Sequence, residues 1–318
     1  MSDTLTAPPG TRSWIRPRHL TSSSQLGRPV LEVLLDSATE FDQQSRPATL
    51  LAGRTLATIF YEPSTRTRFS FETAMYRLGG QVLTAESAAH ASSVAKGESL
   101  EDSVRIIGGY ADAIVLRHSE IGAADRAAAV SAVPVINAGD GAGQHPTQAL
   151  LDVYTIKKEL GRLDHLRVGL AGDLLHGRTV RSLAIILSQF PGTELVLISP
   201  PSLRLGEDLR MELARLGTPV RETSELGDAV AGLDVLYQTR IQAERFATRA
   251  DYERLRDIYV VDAALMRRLP DHAVLMHPLP RLGEIDPEVD TDPRAAYFRQ
   301  ARNGVPVRMA VLHWAMSH

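Results

Sequence analysis

Ser64, Thr65, Arg66 and Thr67 form a run of hydroxyl and guanidinium side chains at the start of a predicted helix. The N–H groups of a first helical turn have no partner inside the helix, and the helix dipole favours an anion there. Two or three hydroxyls and a guanidinium on that turn supply the converging donors that a phosphate group needs. A serine here could also be an ordinary N-cap, but a cap needs only one such side chain. The run therefore predicts a phosphate-binding turn.

His145 precedes Pro146 at the start of another predicted helix, and Gln148 follows three residues after the histidine. Residues at that spacing can share one face of a helix. We interpret the pair as a neutral imidazole and an amide that both point at a small polar group. A buried, hydrogen-bonded histidine is the structural alternative. A metal ligand is disfavoured, because no His, Asp or Glu cluster around His145 has ligand spacing.

Arg117, Arg178 and Arg240 each come after a predicted strand, and Gln242 follows the last of them by two residues. In open α/β sheets, ligands bind beyond the carboxyl ends of the strands. Each arginine taken singly would be interpreted as a surface side chain. Their shared position after strands predicts instead that they face one cleft, which would bind anions.

The elements that must position these side chains alternate between short β-rich runs and amphipathic stretches. The predicted strands are residues 55–60, 113–116, 133–136, 168–171, 194–198, 235–237 and 274–276. The predicted helices are residues 69–78, 100–107, 147–160, 180–190, 209–216, 251–259 and 294–316. This alternation predicts the α/β class, with two consecutive open parallel-sheet domains. The long helix at 147–160 would join the domains, and the C-terminal helix could close either of them.

The composition of the 318-residue chain, with 44% hydrophobic and 23% charged residues, is typical of a soluble globular protein of about two domains. The chain has no cysteine, which excludes disulfides, thiolate nucleophiles and Cys-based metal sites. A net charge of -3 argues against a nucleic-acid-coating protein. Without a long apolar run or a signal-peptide pattern, we expect a cytoplasmic protein that does not contact membranes. Lys96 stands apart, because the other two lysines are Lys157 and Lys158.

The segment from Phe60 to Glu72, which contains the Ser-Thr-Arg-Thr-Arg run, resembles the transcarbamoylase family. Further segments are similar to the aspartate branch of that family and occur in the same order. They are Lys-Gly-Glu at 96–98, Gln-His-Pro-Thr-Gln-Ala-Leu-Leu-Asp at 144–152, Gly-Asp-Leu at 172–174, Gly-Arg-Thr-Val at 177–180, Thr-Arg-Ile-Gln at 239–242 and His-Pro-Leu-Pro-Arg at 277–281. The resemblance covers the chain from about residue 16 to the end.

The resemblance implies transfer of the carbamoyl group of carbamoyl phosphate to the amino group of L-aspartate. The products would be N-carbamoyl-L-aspartate and phosphate, as in pyrimidine synthesis, with no cofactor and no metal. We expect a flexible tail over residues 1–11, a carbamoyl phosphate-binding domain over 12–148 and an aspartate-binding domain over 149–293. The C-terminal helix, at about 294–318, could pack back onto the first of these domains.

The same resemblance implies the roles of individual residues. The residues implied for carbamoyl phosphate are Ser64, Thr65, Arg66, Thr67, Arg117, His145, Gln148, Leu279 and Pro280. Those implied for aspartate are Lys96, Arg178, Arg240 and Gln242. The groups implied to be catalytic are Arg66, Thr67, Lys96, Arg117 and His145.

Residues 88–97 are rich in serine and alanine, and their lack of periodicity predicts an exposed loop. A solvated surface lysine is the ordinary interpretation of Lys96 in such a loop. The loop is, however, similar to the mobile loop of the family, whose catalytic unit is a trimer. The resemblance therefore implies a homotrimer in which Ser92 and Lys96 complete the site of a neighbouring subunit. It also allows regulatory or other pathway subunits as partners.

Three alternatives have to be weighed against this interpretation. The ornithine branch shares several motifs but has a cysteine where this chain has Pro278, so transfer to another amino acid such as ornithine is the alternative reaction. A nucleotide-dependent dehydrogenase could share the fold, but the glycines at 139, 141 and 143 lack Gly-x-Gly-x-x-Gly spacing. An anion-binding protein without activity should have lost an essential charged side chain. The pair Leu282-Gly283 departs from the more polar pair common in the family.

Overall fold

The computed structural model describes residues 18–43, 49–86, 97–241, 246 and 248–317. In the first half of the chain, four parallel strands form a sheet with the order β2-β1-β3-β4. The strands are β1 (Thr55–Phe60), β2 (Gln81–Glu86), β3 (Ala113–His118) and β4 (Val135–Asp140). Five of the six β1 residues are buried, as expected for a central strand covered on both faces.

Five further parallel strands form a second sheet with the order β7-β6-β5-β8-β9. They are β5 (Arg167–Ala171), β6 (Glu194–Ile198), β7 (Val220–Thr223), β8 (Val235–Gln238) and β9 (Val274–Met276). The predicted class of two consecutive parallel-sheet α/β domains is confirmed. The sequence did not predict β2 and β7, which are edge strands with mostly exposed residues and no continuous apolar run.

The helices lie between the strands and cover the sheets. They are α1 (Arg28–Gln43), α2 (Thr65–Arg77), α3 (Leu100–Ile107), α4 (Ala123–Val130), α5 (Pro146–Leu160), α6 (Arg178–Leu187), α7 (Glu207–Arg215), α8 (Leu226–Ala229), α9 (Arg249–Leu255), α10 (Ala263–Met266) and α11 (Tyr297–Met316). Helices α1, α4, α8 and α10 are additional to the predicted set. In the described part of the chain, no helix is long and apolar enough to cross a membrane.

Helix α5 connects the two sheets, as predicted, and most of its residues are buried. It ends at Gly161, whose left-handed backbone (φ 72°) accommodates the helix C-terminus without strain. Helix α11 packs against α1, α2 and α5, so the C-terminal helix returns to the first half of the molecule. Leu150 of α5, Leu183 of α6 and Val311 of α11 belong to one continuous apolar core, which ties the two halves together.

Strand β4 extends beyond its predicted end, because its last four residues are polar or small yet buried. The Asn137 side chain donates to the carbonyl of Thr21 (2.9 Å) and accepts from the N–H of Gly139 (2.7 Å), which satisfies its polar atoms. Helix α2 begins at Thr65, next to the helix start that the sequence indicated at Ser64, and its first turn is the polar run before the predicted helical segment at 69–78. The end of β4 was misplaced because its polar residues were interpreted as loop.

Candidate active site

A cleft of about 760 Å³ lies at the carboxyl ends of both sheets, between the two halves of the molecule. Eleven of the predicted site residues line it: Ser64, Thr65, Arg66, Thr67, Arg117, His145, Gln148, Arg178, Arg240, Leu279 and Pro280. The other three, Ser92, Lys96 and Gln242, lie outside the described residues. The structure thus brings together side chains that are far apart in the sequence.

The predicted phosphate-binding turn follows β1 and opens α2, with Ser64 at the N-cap. Among the described residues, the Ser64 hydroxyl caps no backbone N–H of this helix, so the interpretation as an ordinary side-chain cap is wrong. Its carbonyl accepts from the N–H of Arg68 (3.0 Å), which starts the helical ladder and leaves the earlier N–H groups pointing along the axis. Partial burial lowers the pKa of Arg66, yet the guanidinium stays charged at neutral pH.

Three helices direct their N-termini at the cleft, since the N-cap residue of each lines it. Helix α2 contributes Ser64, helix α5 begins after His145, and helix α6 begins after Gly177. In the described chain, none of these three N-cap residues makes a side-chain capping bond. The partial positive charges of the three helix ends therefore add to the arginine charges, which makes the cleft a strong anion site.

Arg117 and Arg178 meet in the cleft, although one lies on β3 and the other starts α6. Glu62 stands between them, with its carboxylate 3.5 Å from the Arg117 guanidinium and 3.7 Å from that of Arg178. Arg178 also donates to the carbonyl of Gly141 (2.7 Å). Burial and the neighbouring Arg178 lower the pKa of Arg117, while Glu62 opposes this effect. The carboxylate therefore allows two cations to remain close together in a half-closed space.

A glycine makes room for this pair of arginines. Gly139 on β4 has φ 117°, and a Cβ atom at this position would lie 3.0 Å from the Arg178 guanidinium carbon and 3.1 Å from an Arg117 nitrogen. A larger residue would strain the backbone and displace at least one guanidinium. The glycine at 139 thus serves arginine packing in this fold.

His145 is buried, and its backbone N–H donates to the Ser182 hydroxyl (3.0 Å). Burial, together with the charges of Arg178 and Arg117, holds the pKa of His145 well below 6.5, so the imidazole is neutral at pH 7. Among the described residues no atom hydrogen-bonds to its Nδ1. A neutral imidazole facing a cleft can polarise a carbonyl oxygen without competing with phosphate for a proton.

The loop after β9 brings the backbone of Leu279 to the cleft, where the residue has a left-handed backbone (φ 50°). The N–H of Leu279 donates to Nδ1 of His277 (2.8 Å), and Nε2 of the same ring contacts Glu284 (2.8 Å). Burial raises the pKa of Glu284, but the His277 contact and backbone N–H groups outweigh it and lower the value to about 2. The His277–Glu284 pair therefore fixes the loop that carries Leu279 and Pro280.

Several cleft-lining residues had no role in the sequence-based prediction, among them the polar residues Glu62, Asp173, Gln300 and Arg308. Arg308 is fully buried in α11, stacks on the Phe71 ring (4.9 Å to the centroid) and donates to the Ser70 hydroxyl. The sequence signal that could have identified Arg308 is its place as the single charged residue in the apolar run at 305–312. Glu62 lies two residues before Ser64, where the phosphate-binding turn begins.

Comparison with known proteins agrees with this geometry. Residues 18–158 match the profile described as aspartate/ornithine carbamoyltransferase, carbamoyl-P binding domain. Residues 164–315 match the profile described as aspartate/ornithine carbamoyltransferase, Asp/Orn binding domain. The chain belongs to the aspartate/ornithine carbamoyltransferase family. The transcarbamoylase resemblance seen in the sequence motifs is thereby confirmed.

Individual carbamoyltransferases of this family are similar over nearly their whole length. The chloroplastic aspartate carbamoyltransferase of Oryza sativa is 51% identical over 312 residues, which cover 95% of this chain and 86% of that protein. The solved catalytic subunit of Methanocaldococcus jannaschii aspartate transcarbamoylase has 48% identity and a TM-score of 0.87, covering 94% of this chain and 97% of that chain. Trypanosoma cruzi aspartate transcarbamoylase in complex with carbamoyl phosphate and aspartate has 39% identity and a TM-score of 0.90, covering 95% and 98%.

Proposed function

We propose that this chain is an enzyme that transfers the carbamoyl group of carbamoyl phosphate to the amino group of L-aspartate. The observation that carries the proposal is the convergence of three helix N-termini and of arginines from both halves on one cleft. Two multiply charged anions must be held side by side in this reaction, and a cleft of that charge suits them. The relatives described above are named aspartate carbamoyltransferases, and one was solved with both substrates.

Carbamoyl phosphate lies in the half of the cleft formed by α2 and α5. Ser64, Thr65, Arg66 and Thr67 bind its phosphate group, as the uncapped helix start favours. The carbonyl oxygen, where negative charge grows during the reaction, receives hydrogen bonds from Thr67, Arg117 and His145. Single donors of this kind are worth roughly 2.7–4 kcal/mol of transition-state stabilisation. Gln148 binds the carbamoyl NH₂, and the loop at Leu279 and Pro280 offers a carbonyl acceptor to the same group.

Aspartate lies towards the second sheet, where its two carboxylates meet Arg178, Arg240, Gln242 and the Lys96 ammonium. A dicarboxylate suits these cations, whereas the cationic side chain of ornithine does not. This charge preference favours aspartate over ornithine as the acceptor.

The free amine of aspartate attacks the carbamoyl carbon, which forms a tetrahedral intermediate that expels phosphate. Positioning of the two substrates can supply about 7–11 kcal/mol of barrier reduction. The departing phosphate accepts the amine proton, so the reaction needs neither a cofactor nor a dedicated side-chain base. The neutral state of His145 suits this chemistry, because an uncharged imidazole donates a hydrogen bond without protonating the leaving group. No covalent enzyme intermediate forms, and labelled carbamoyl group retained on denatured protein would contradict the proposal.

The two halves of the molecule bind different substrates. Residues 12–148 form the carbamoyl phosphate-binding domain, onto which the C-terminal helix packs, and residues 149–293 form the aspartate-binding domain. The active unit is a cytoplasmic homotrimer in which Ser92 and Lys96 of one subunit complete a neighbouring site. Support for the trimer comes from the family resemblance of that loop, and regulatory or other pathway subunits are further candidate partners.

A carbamoyl-transfer assay with aspartate and ornithine side by side tests the proposed function. We expect carbamoyl-aspartate formation with aspartate and at least 100-fold lower kcat/KM with ornithine. The variants Arg66→Ala and Arg240→Ala should each abolish most of the activity, whereas Arg68→Ala, an arginine of α2 that does not line the cleft, should retain it. Preference for ornithine, or no transfer with either amino acid, would overturn the proposal.

A further inference from the structure

Asp152 lies behind the cleft wall, fully buried on α5, one turn after Gln148. Its Oδ1 accepts from the side-chain amide nitrogens of Gln148 (2.8 Å) and Gln300 (2.6 Å), and its Oδ2 accepts from the Tyr237 hydroxyl (2.8 Å). These partners belong to α5, α11 and β8, so one carboxyl group connects three elements around the cleft. Asp152 itself does not line the cleft, but Gln148 and Gln300 do.

The orientation of every amide in this network follows from one backbone donor. The N–H of His277 donates to Oε1 of Gln300 (2.9 Å), so the Gln300 nitrogen must face Asp152. Oδ1 of Asp152 is therefore a hydrogen-bond acceptor. The same oxygen also accepts from the amide nitrogen of Gln148 (2.8 Å). The amide oxygen of Gln148 is then the end left to face the cleft.

We propose that Asp152 is the positioning residue that holds the Gln148 amide with its oxygen towards the cleft, and that this orientation selects an acyl donor carrying an NH₂ group. The inference rests on the proposed function, because it concerns the carbamoyl half of that site. An amide oxygen accepts a hydrogen bond from NH₂ but gains nothing from a methyl group of the same size. A buried acceptor left without a donor disfavours the methyl analogue strongly.

The role of Asp152 is that of an acceptor in a fixed position rather than that of a charge. Burial raises its pKa to about 7, even though its three hydrogen-bond donors and Arg308 oppose the rise. An asparagine can replace it in the same geometry, because its oxygen would accept from both glutamines. Its Nδ2 would donate to the Tyr237 oxygen, since a tyrosine hydroxyl also accepts. Asp152→Asn should therefore keep Gln148 oriented, whereas Asp152→Ala should not.

Two stable phosphonates probe the preference directly. Phosphonoacetamide carries an NH₂ on its carbonyl, phosphonoacetone carries a CH₃ in the same place, and neither transfers its acyl group. Their dissociation constants, measured by calorimetry for each variant, give the preference for NH₂ over CH₃. We expect Asp152→Ala to lower this preference at least tenfold, because phosphonoacetamide loses its oriented acceptor and phosphonoacetone no longer leaves that acceptor unpaired. The preference of Asp152→Asn for NH₂ over CH₃ should stay within about threefold of the wild-type value.

Two further variants keep the test informative if Asp152→Ala folds poorly. Gln300→Leu removes the contact that fixes Oδ1 as an acceptor, so it should also lower the preference several-fold. Tyr237→Phe removes the hydroxyl that donates to Oδ2 of Asp152, and it should leave the preference for NH₂ over CH₃ unchanged. General structural damage would weaken the binding of both phosphonates by the same factor.

The outcomes separate this inference from the proposed function. Absence of carbamoyl transfer to aspartate by the wild-type protein would overturn the proposed function. Normal transfer, together with an unchanged NH₂ preference in folded Asp152→Ala and Gln300→Leu, would overturn the positioning role of Asp152 and leave the proposed function standing. A tenfold loss of preference that Asp152→Asn restores would support both.

Discussion

The carboxylate of Glu62 lies 3.7 Å from the guanidinium of Arg178, and this ion pair joins the end of β1 in the first half to the start of α6 in the second. Arg117 approaches the same carboxylate at 3.5 Å. An acidic residue in an anion-binding cleft is unexpected at first, since it would repel both substrates. Its position explains it, because it separates two arginines whose mutual repulsion would otherwise displace Arg178.

The first prediction concerns the variant Glu62→Gln. Loss of the carboxylate should let Arg178 move away from its place beside the Gly141 carbonyl and weaken aspartate binding. We expect the KM for aspartate to rise about tenfold, a cost of about 1.4 kcal/mol, with a smaller effect on carbamoyl phosphate. Initial-rate kinetics with each substrate varied in turn measure both effects.

Glu86→Gln is the matched control for that variant. Glu86 also pairs with an arginine, Arg68, at 2.8 Å, but both residues lie in the first half and neither lines the cleft. The kinetic constants of Glu86→Gln should remain within about twofold of the wild-type values. An unchanged aspartate KM in Glu62→Gln would show that Arg178 keeps its position without the carboxylate.

The second prediction concerns the division of labour between the two halves of the cleft. Removing the guanidinium proposed to bind phosphate, in Arg66→Ala, should lower carbamoyl phosphate affinity by about 30-fold or more, since a charge-paired contact is worth about 2–5 kcal/mol. Arg240→Ala should leave that affinity within about threefold and raise the KM for aspartate instead. Equilibrium binding of carbamoyl phosphate distinguishes the two variants, and equal losses in both would refute the division.

The sequence indicated the fold most clearly where burial on both faces produces a continuous apolar run, as in β1 and β5. It failed at the edge strand β2, whose Gln, Thr and Glu residues are exposed and do not differ from a loop in composition. The end of β4 was also misplaced, because buried polar residues form the last part of that strand. In these segments tertiary contacts outweigh local preference.

The candidate site was predictable where its residues lie at or after the carboxyl ends of strands, as Arg66, Arg117 and Arg178 do. Gln300 and Arg308 reach the cleft from a helix after the last strand, and no local pattern shows which cleft such a helix will cover. The sequence placed Asp152 in a family motif without a role, because its function depends on partners that only the folded chain supplies.

The third prediction tests the shared site implied for Lys96. The variants Arg66→Ala and Lys96→Ala should each be nearly inactive alone. Unfolding and reassembling an equal mixture should restore activity, because every mixed cyclic trimer has one junction where both wild-type residues meet. Random assembly then recovers about a quarter of the native sites.

Reassembly of Arg66→Ala with His145→Ala is the matched control for that experiment. Both of these residues line the cleft of one chain, so no junction of a mixed trimer regains a complete site. No activity should return. Absence of recovery in the Lys96 mixture, with mixed trimers demonstrated, would mean that Lys96 acts within its own subunit or has no role in the reaction.

The fourth prediction concerns the pH dependence of stability contributed by Asp152. Burial raises its pKa from 3.8 to about 7, so between these values the folded protein binds more protons than the unfolded chain. The contribution of Asp152 to the free energy of unfolding therefore falls as the pH rises from about 4 to about 7. Asp152→Asn removes this titration.

We therefore expect the stability of Asp152→Asn relative to the wild type to improve by about 2–3 kcal/mol between pH 5 and pH 7.5, as the raised pKa requires. Denaturant unfolding at the two pH values measures it. Glu284→Gln is the control of opposite sign, because the pKa of Glu284 is lowered to about 2 and its contribution is lost only as the pH falls below 4.5. Its effect on stability should be the same at pH 5 and pH 7.5. A difference between Asp152→Asn and wild type that does not change with pH would mean that Asp152 is ionised in the folded protein throughout this range, and that the surrounding donors and Arg308 fully offset its burial.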